Sequence, residues 1–239
     1  MVDHKQAYQQ EGEKYQRLIA CEDYQGNLLP AIREVIRFDG LDVVDLGTGT
    51  GRLARLLGPA VRSVYAFDIS AHMLGVAKEI FAEFPGYPWL AAAAEHQAIP
   101  LPQNSADLVL SGWSFCYLAV WAEKNGQAAL LEGLREIKRV LRERGSLVLI
   151  ETLGTGVKEP HPPEKLLPYF NYLGELGFKR SWIRTDYKFH DREAARELVK
   201  IFFGEEMLIN ISQDEEPILP ECTGIWWCHV IDLLTWKGR

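Results

Sequence analysis

The stretch Asp45-Leu46-Gly47-Thr48-Gly49-Thr50-Gly51-Arg52 sets a carboxylate just ahead of three alternating glycines. Glycine lacks Cβ, so the backbone here can take positive φ angles and approach a bound group closely. The apolar residues up to Leu46 read as a buried parallel strand and residues 51–57 as the start of a helix, which puts the glycines in a strand-to-helix turn. Open α/β sheets bind ligands at such turns, beyond the carboxyl ends of their strands. The pattern points to a nucleotide-like ligand. It departs from the dinucleotide fingerprint G-x-G-x-x-G, because Gly51 comes one residue early and Arg52 stands where that fingerprint has glycine. Asp45 is the second departure: a carboxylate before the turn repels a pyrophosphate and attracts an ammonium group.

The surrounding sequence supplies a frame for this turn. Residues 61–67, 88–93, 107–111 and 145–150 read as further strands, with helices over 71–84 and 127–141 between them. Leu130, Leu131, Leu134, Ile137 and Leu141 recur at helical spacing with charges between. This alternation is that of a doubly wound sheet. Farther on, the pattern predicts a helix over 164–176, a strand over 179–189, a helix over 192–203 and a last strand over 224–235 that carries Trp226 and Trp227. In that strand the two tryptophans face opposite sides, so only one can line the core. Residues 3–38 are expected to be helical, with Tyr8, Tyr15 and Tyr24 available as lid residues or as packing on the sheet edge.

Taken with Asp68-Ile69-Ser70-Ala71-His72-Met73-Leu74, the D-x-G-x-G-x-G run resembles the class I S-adenosylmethionine-dependent methyltransferases, of the small-molecule type 11 and type 25 kind. The resemblance spans residues 42–151. It implies a Rossmann-like α/β fold with a mostly parallel, doubly wound sheet, an antiparallel C-terminal strand and a helical cap. The division expected is one domain over 1–239, with a helical lid over 1–40, a cofactor-binding core over 41–151, and C-terminal strands and substrate cap over 152–239. The implied cofactor is S-adenosylmethionine, leaving as S-adenosylhomocysteine.

The resemblance also distributes roles. Asp45, Gly47, Gly49 and Gly51 would cradle the cofactor, and Asp68 would accept hydrogen bonds from the ribose hydroxyls, the competing reading being a carboxylate at a helix N-terminus. Met73 would lie against the adenine, although it reads equally well as core, Ile69 belongs to the cofactor-binding set, and Ser70 reads as the helix N-cap. The run Ala94-Glu95-His96-Gln97-Ala98-Ile99-Pro100-Leu101 resembles the family's D-A-x-x-L-P segment, so Glu95 would take the adenine amino group and the His96 backbone N–H a ring nitrogen. Ser111 closes the cofactor set. Trp113, Phe115 and Tyr117 follow it as an apolar substrate pocket, or as core. The local Asn-Pro-Pro-Tyr group of amide-nitrogen and adenine methylating enzymes is absent, and no local histidine offers a base. Glu151, Tyr117 and His190 are the candidates for proton acceptor, in that order; a turn-capping Glu151 and structural roles for His161 and His190 are the competing readings.

Composition narrows the partners. A net charge of −7 gives no basic field for a nucleic-acid backbone, so a small-molecule substrate is expected and a nucleic acid is not. No apolar run is long enough to span a membrane, and Met1-Val2-Asp3-His4-Lys5-Gln6 does not resemble a secretory signal, which makes the cytoplasm the expected location. Cys21, Cys116, Cys222 and Cys228 are scattered, without metal-site spacing, and read as reduced thiols; no metal is expected. A noncatalytic S-adenosylmethionine-binding sensor or scaffold and a nicotinamide-dependent enzyme are the rival readings.

Overall fold

The computed structural model describes residues 12–121 and 125–234; Tyr8 lies outside the described residues. Strands β1 (Asp42–Leu46), β2 (Ser63–Asp68), β3 (Trp89–Ala93), β4 (Ala106–Gly112), β5 (Leu141–Thr155), β6 (Lys179–Arg184) and β9 (Glu221–His229) form one sheet in the order β3-β2-β1-β4-β5-β9-β6. The first five run parallel, and β9 is antiparallel to both of its neighbours. Alternate residues of each strand enter opposite cores. Val44, Leu46, Val109, Leu147 and Leu149 meet helices α6 (Gly126–Val140) and α7 (Leu167–Glu175) through Leu134, Ile137, Tyr169 and Leu173. Val43, Leu108, Leu110, Val148 and Ile150 meet α2 (Leu28–Val35), α3 (Arg52–Leu57) and α4 (Ala71–Ala82) through Ile32, Leu53 and Phe81.

The helix starts follow local chemistry. Ser70 Oγ accepts the Met73 N–H and caps α4, and Asp191 accepts the Ala194 N–H and caps α8 (Arg192–Phe203). The order of these helices brings the carboxyl ends of β1, β2 and β4 and the start of α4 to one edge, where the glycine turn sits.

Several boundaries differ from the sequence reading. The strand expected over 179–189 is two pieces, β6 and β7 (Tyr187–Lys188), the latter paired with β8 (Ile218–Leu219) outside the main sheet. The break falls at Asp186, whose side chain clasps Arg184 at 2.7 Å and accepts the Glu221 N–H at 2.9 Å where a backbone carbonyl would continue the ladder. The last strand ends at His229 and continues as α9 (Val230–Leu234), because the ladder with β5 has its final rung at Ser146 opposite His229. Strand β5 runs past its expected end at 150 to Thr155, held by β9, so Glu151 lies within a strand. A short helix, α5 (Tyr117–Trp121), stands where no element was expected. Both tryptophans of β9 are covered, since β9 lies inside the sheet: Trp226 stacks on Phe170 at 4.6 Å, and Trp227 packs against the opposite core.

Helix α1 (Gly12–Cys21) packs on α8, although the two come from opposite ends of the chain. Leu18, Leu198, Phe202, Tyr187 and Leu219 form a third apolar cluster there, and the Tyr15 ring meets Phe202 edge-on at 5.9 Å. Together these elements roof the carboxyl edge of the sheet.

Candidate active site

A cavity of about 550 Å³ opens at the carboxyl ends of β1, β2 and β4. Gly47, Gly49, Asp68, Ile69, Met73, Glu95, His96, Trp113 and Tyr117 line it, so most of the residues singled out in the sequence converge on one space. Tyr15 of α1 closes it from above, while Tyr24, the other described lid tyrosine, does not reach it. Gly47 has a φ of +70°, and a Cβ there would stand 1.8 Å from Ser114 Oγ. Gly49, at φ +56°, has open space instead: a Cβ would meet only Met73 Cε at 3.7 Å and a Tyr15 ring carbon at 3.8 Å.

Four expectations are corrected by this geometry. Gly51 does not face the cavity; its missing Cβ leaves room for Phe81, whose ring would otherwise be 2.5 Å away, so this glycine serves helix packing. Ser111 is fully buried and its hydroxyl donates to the Leu46 carbonyl at 2.8 Å, fastening β4 to β1. Phe115 is likewise fully buried, in the core beside Leu130 and Leu134, because the turn at 113–116 points it inward. His190 is exposed ahead of α8, away from both cavities described here.

Asp68 ends β2 on the cavity wall and is tied down on both oxygens, accepting the Gly49 N–H through Oδ2 and the Ser70 N–H through Oδ1, each at 2.8 Å. Burial pushes its carboxyl up, and these two N–H groups oppose the shift. Asp45 lies one layer beneath the turn and is buried, with Oδ2 accepting the Thr48 hydroxyl at 2.7 Å and the Ala54 N–H at 3.1 Å. Its Oδ1 has no hydrogen-bond partner, and burial raises its pKa to about 6. On the far wall Glu95 is exposed, and the His96 ring stands 3.1 Å from Ser114 Oγ. Desolvation drops the His96 pKa to about 4, so the imidazole is neutral at physiological pH. Trp113 holds the unusual φ of +50° and presents its ring to the Arg52 guanidinium at 4.6 Å. A bulky residue in that conformation is costly, and such positions cluster at ligand sites.

S-adenosylmethionine fits this cavity by the chemistry of its lining. Gly49 leaves space over its α-carbon, Asp68 offers a carboxylate on the wall, and Ile69 and Met73 give an apolar surface; Asp45, expected among the binding residues, does not line the cavity but lies buried beneath the turn with Oδ1 unpartnered.

A second cavity of about 320 Å³ adjoins the first, and Tyr15, Trp113 and Tyr117 line both. Its walls come from α1, α8, β5 and β9, and it holds three buried carboxyl groups: Glu22, Glu151 and Glu221. Glu151 Oε1 accepts the Cys116 N–H at 3.0 Å and the Tyr169 hydroxyl at 3.3 Å, so it does cap a neighbouring turn while it lines the cavity. Burial raises its pKa to about 7. Glu22 and Glu221 escaped the sequence reading, because they lie far apart in the chain and come to one cavity only through the tertiary packing of α1 on α8 and β7. Ser114 escaped it too, its partner His96 being eighteen residues away.

No helix among the described residues is long and apolar enough to cross a membrane. Residues 44–149 match the family model described as a methyltransferase domain. The chain is 33% identical over 138 residues to a malonyl-[acyl-carrier protein] O-methyltransferase of Marinomonas sp., covering 56% of this chain and 46% of that protein. It is 29% identical over 181 residues to an uncharacterized methyltransferase of Bacillus subtilis, covering 74% of this chain and 72% of the relative. It thus spans less than half the length of the first of these relatives and under three-quarters of the second. The fold is shared with the crystal structure of a SAM-dependent methyltransferase from Aquifex aeolicus, with a TM-score of 0.54 and 19% identity over 91% of this chain and 97% of that one. Sheet order and glycine turn agree with the family match: residues 44–149 match a methyltransferase domain, and the chain has the fold of the class I S-adenosylmethionine-dependent methyltransferases.

Proposed function

We propose that this chain moves a methyl group from S-adenosylmethionine to a small-molecule acceptor seated in the second cavity. The observation that carries the reading is the common wall: Tyr15, Trp113 and Tyr117 border both spaces, so molecules bound in the two are neighbours. The cofactor supplies a methyl carbon activated by a sulfonium. The protein's share is binding and orientation, and holding two reactants in attack geometry is worth roughly 7–11 kcal/mol. Asp68, Glu95 and the His96 backbone would hold the nucleoside end, with Ile69 and Met73 on the ring, while the glycine turn, held from beneath by Asp45, receives the amino-acid end. Tyr15, carried by α1 under α8, would exclude water.

Where the acceptor must lose a proton, Glu151 is the group in place. Its Oε1 is engaged by Cys116 and Tyr169, leaving Oε2 to take the proton, and a pKa of about 7 suits a base working near neutrality. An acceptor of small size is supported by the cavity of about 320 Å³, within the range of small-molecule sites, and by the chain's net charge of −7. A reducing, cytoplasmic setting suits the four free cysteines.

Calorimetric titration with S-adenosylmethionine, S-adenosylhomocysteine and NAD tests the cofactor half. Micromolar binding of the first two without NAD is expected; NAD alone would overturn it. Methyl transfer from labelled cofactor into a metabolite pool tests the enzymatic half, and binding with no transfer to any member would favour a sensor.

A further inference from the structure

The acceptor cavity carries a polar feature that its apolar walls do not require. Glu221 is only 2% exposed, and Oε1 accepts the Thr152 hydroxyl at 2.6 Å. Thr152 Oγ1 in turn accepts the Gly154 N–H at 3.1 Å, so the direction of the Thr152 O–H is set and Glu221 Oε1 is an acceptor. Glu221 Oε2 has no partner. Just past the end of α1, Glu22 Oε2 accepts from Arg52 Nη1 at 2.5 Å, while Glu22 Oε1 is also without a partner. Both glutamates line the same cavity, and Glu22 raises the cost of ionising Glu221. Buried acceptors left open are costly, more so when charged, unless something donates to them.

The local charge balance says what kind of donor. Arg52 neutralises Glu22, and Arg184 neutralises Asp186, which holds the Glu221 backbone N–H. Glu221 has no cation of its own among the described residues. Tyr187 also borders the cavity, with Lys165 and His161 at the strand-end side among the apolar Val157, Leu166 and Met207.

We propose that the acceptor cavity recognises a basic amine carried on an apolar body, with the ammonium group donating to Glu221 Oε2 and Glu22 Oε1. This deepens the methyltransferase reading and rests on it for the identity of the neighbouring cofactor. A primary or secondary ammonium brings both the countercharge that lets Glu221 ionise and the donors that the two open oxygens require. The apolar body would lie along Ile19, Val120, Leu166 and Phe203. A hydroxyl meets one acceptor and brings no countercharge to either carboxyl group, and a carboxylate adds a third acid group to the pair.

The test is calorimetric titration of the full chain with phenethylamine, 2-phenylethanol and 3-phenylpropanoate, with and without saturating S-adenosylhomocysteine, extended to a series of amines from butylamine to tryptamine. The expected result is an amine preference of at least tenfold over the alcohol, with the carboxylate not binding. Glu221→Gln should reduce that preference at least tenfold and leave S-adenosylhomocysteine affinity unchanged. Equal binding of alcohol and amine, binding of the carboxylate, or failure of the whole amine series would overturn the proposal. Because the wild-type comparison needs no variant, a poorly folding Glu221→Gln does not affect it. An amine preference in a protein that ignores S-adenosylhomocysteine would sink the cofactor assignment and leave the amine site standing.

Discussion

Asp68 Oδ2 accepts the Gly49 N–H at 2.8 Å, so the carboxylate on the cavity wall also fixes the glycine turn beside it. The two readings of Asp68, ligand contact and helix-start carboxylate, are therefore joined in one side chain, since Oδ1 meets the Ser70 N–H ahead of α4. Removing it with Asp68→Ala should weaken S-adenosylmethionine binding by about 1.5–3 kcal/mol, the range for hydrogen bonds to a charged group. That is on the order of 10- to 100-fold in affinity. Calorimetry on the wild type and this variant reads it directly, and equal affinities would reduce Asp68 to a structural clasp.

The glycines of the turn separate by the same kind of measurement. Gly47→Ala would push a methyl group to 1.8 Å from Ser114 Oγ and 2.4 Å from Ser114 Cβ, so the fold itself should suffer, beyond the roughly 1–2 kcal/mol of a left-handed non-glycine residue. At Gly49 a Cβ meets only ordinary contacts, beginning at 3.7 Å, so Gly49→Val brings the backbone strain of a β-branched residue at φ +56° without the Cβ clash of Gly47, and should stay folded, with a lowered melting temperature, while losing cofactor binding. A Gly49→Val protein with unchanged affinity would remove the turn from the binding site.

These two glycines show how far the sequence could be read. Their spacing after an apolar strand specified a close backbone approach, and the chain uses it twice, once for Ser114 and once for the cavity. Gly51 carried the same signal and serves a different end, because only the arrival of Phe81 from α4 shows what its missing Cβ makes room for. Phe115 and Tyr117 are two residues apart in one aromatic run, yet the first is core and the second lines both cavities. The conformation of Trp113, which turns the chain between them, is not written in local composition. The carboxyl cluster was beyond reach for another reason: Glu22 and Glu221 are separated by almost the whole chain, and no periodicity links them.

Glu151 has a direction of pH dependence attached to it. A base must be ionised, so kcat/KM for a proton-bearing acceptor should rise as pH passes through about 7 and level off above it. Glu151→Gln should lower the plateau by about 10²- to 10⁴-fold, the usual worth of a positioned base. A rate independent of pH across that interval would mean that the acceptor needs no base or finds another.

Stability should move the opposite way. Burial raises the carboxyl pKa values of Asp45 to about 6, Glu151 to about 7 and Glu221 to about 8, and raises Glu22 as well. Each of these groups binds its proton more tightly in the folded chain than in the unfolded one. The stability they contribute is fully present below the ordinary carboxyl range and is lost as pH climbs through the folded values. Asp42 and Glu136, held low by Arg62 and Arg139, act in reverse and are lost in acid. Scanning calorimetry should therefore find the melting temperature highest near about pH 5 and falling towards about pH 8.5, with Glu221→Gln flattening the decline. A melting temperature that rises over that interval would contradict the burial of these groups.

The Glu22 and Arg52 pair is the last of these tests, because it joins the cap to the cofactor turn. Glu22 follows α1 and Arg52 begins α3; their side chains are 2% and 14% exposed and meet at 2.5 Å, with the guanidinium also lying 4.6 Å over Trp113. Arg52→Met keeps the length and the apolar contact with Trp113 but leaves Glu22 buried without its cation. Breaking one partner of such a pair costs about 3–5 kcal/mol, whereas replacing both by apolar residues of similar volume is often neutral. Urea denaturation at neutral pH should show a large loss for Arg52→Met and recovery in the double variant with Glu22→Met. The same double variant would still lack one of the two open acceptors of the second cavity, so its stability and its amine preference should part company. If the single variant is as stable as the wild type, the cap does not depend on this contact and Arg52 answers to the ring of Trp113 alone.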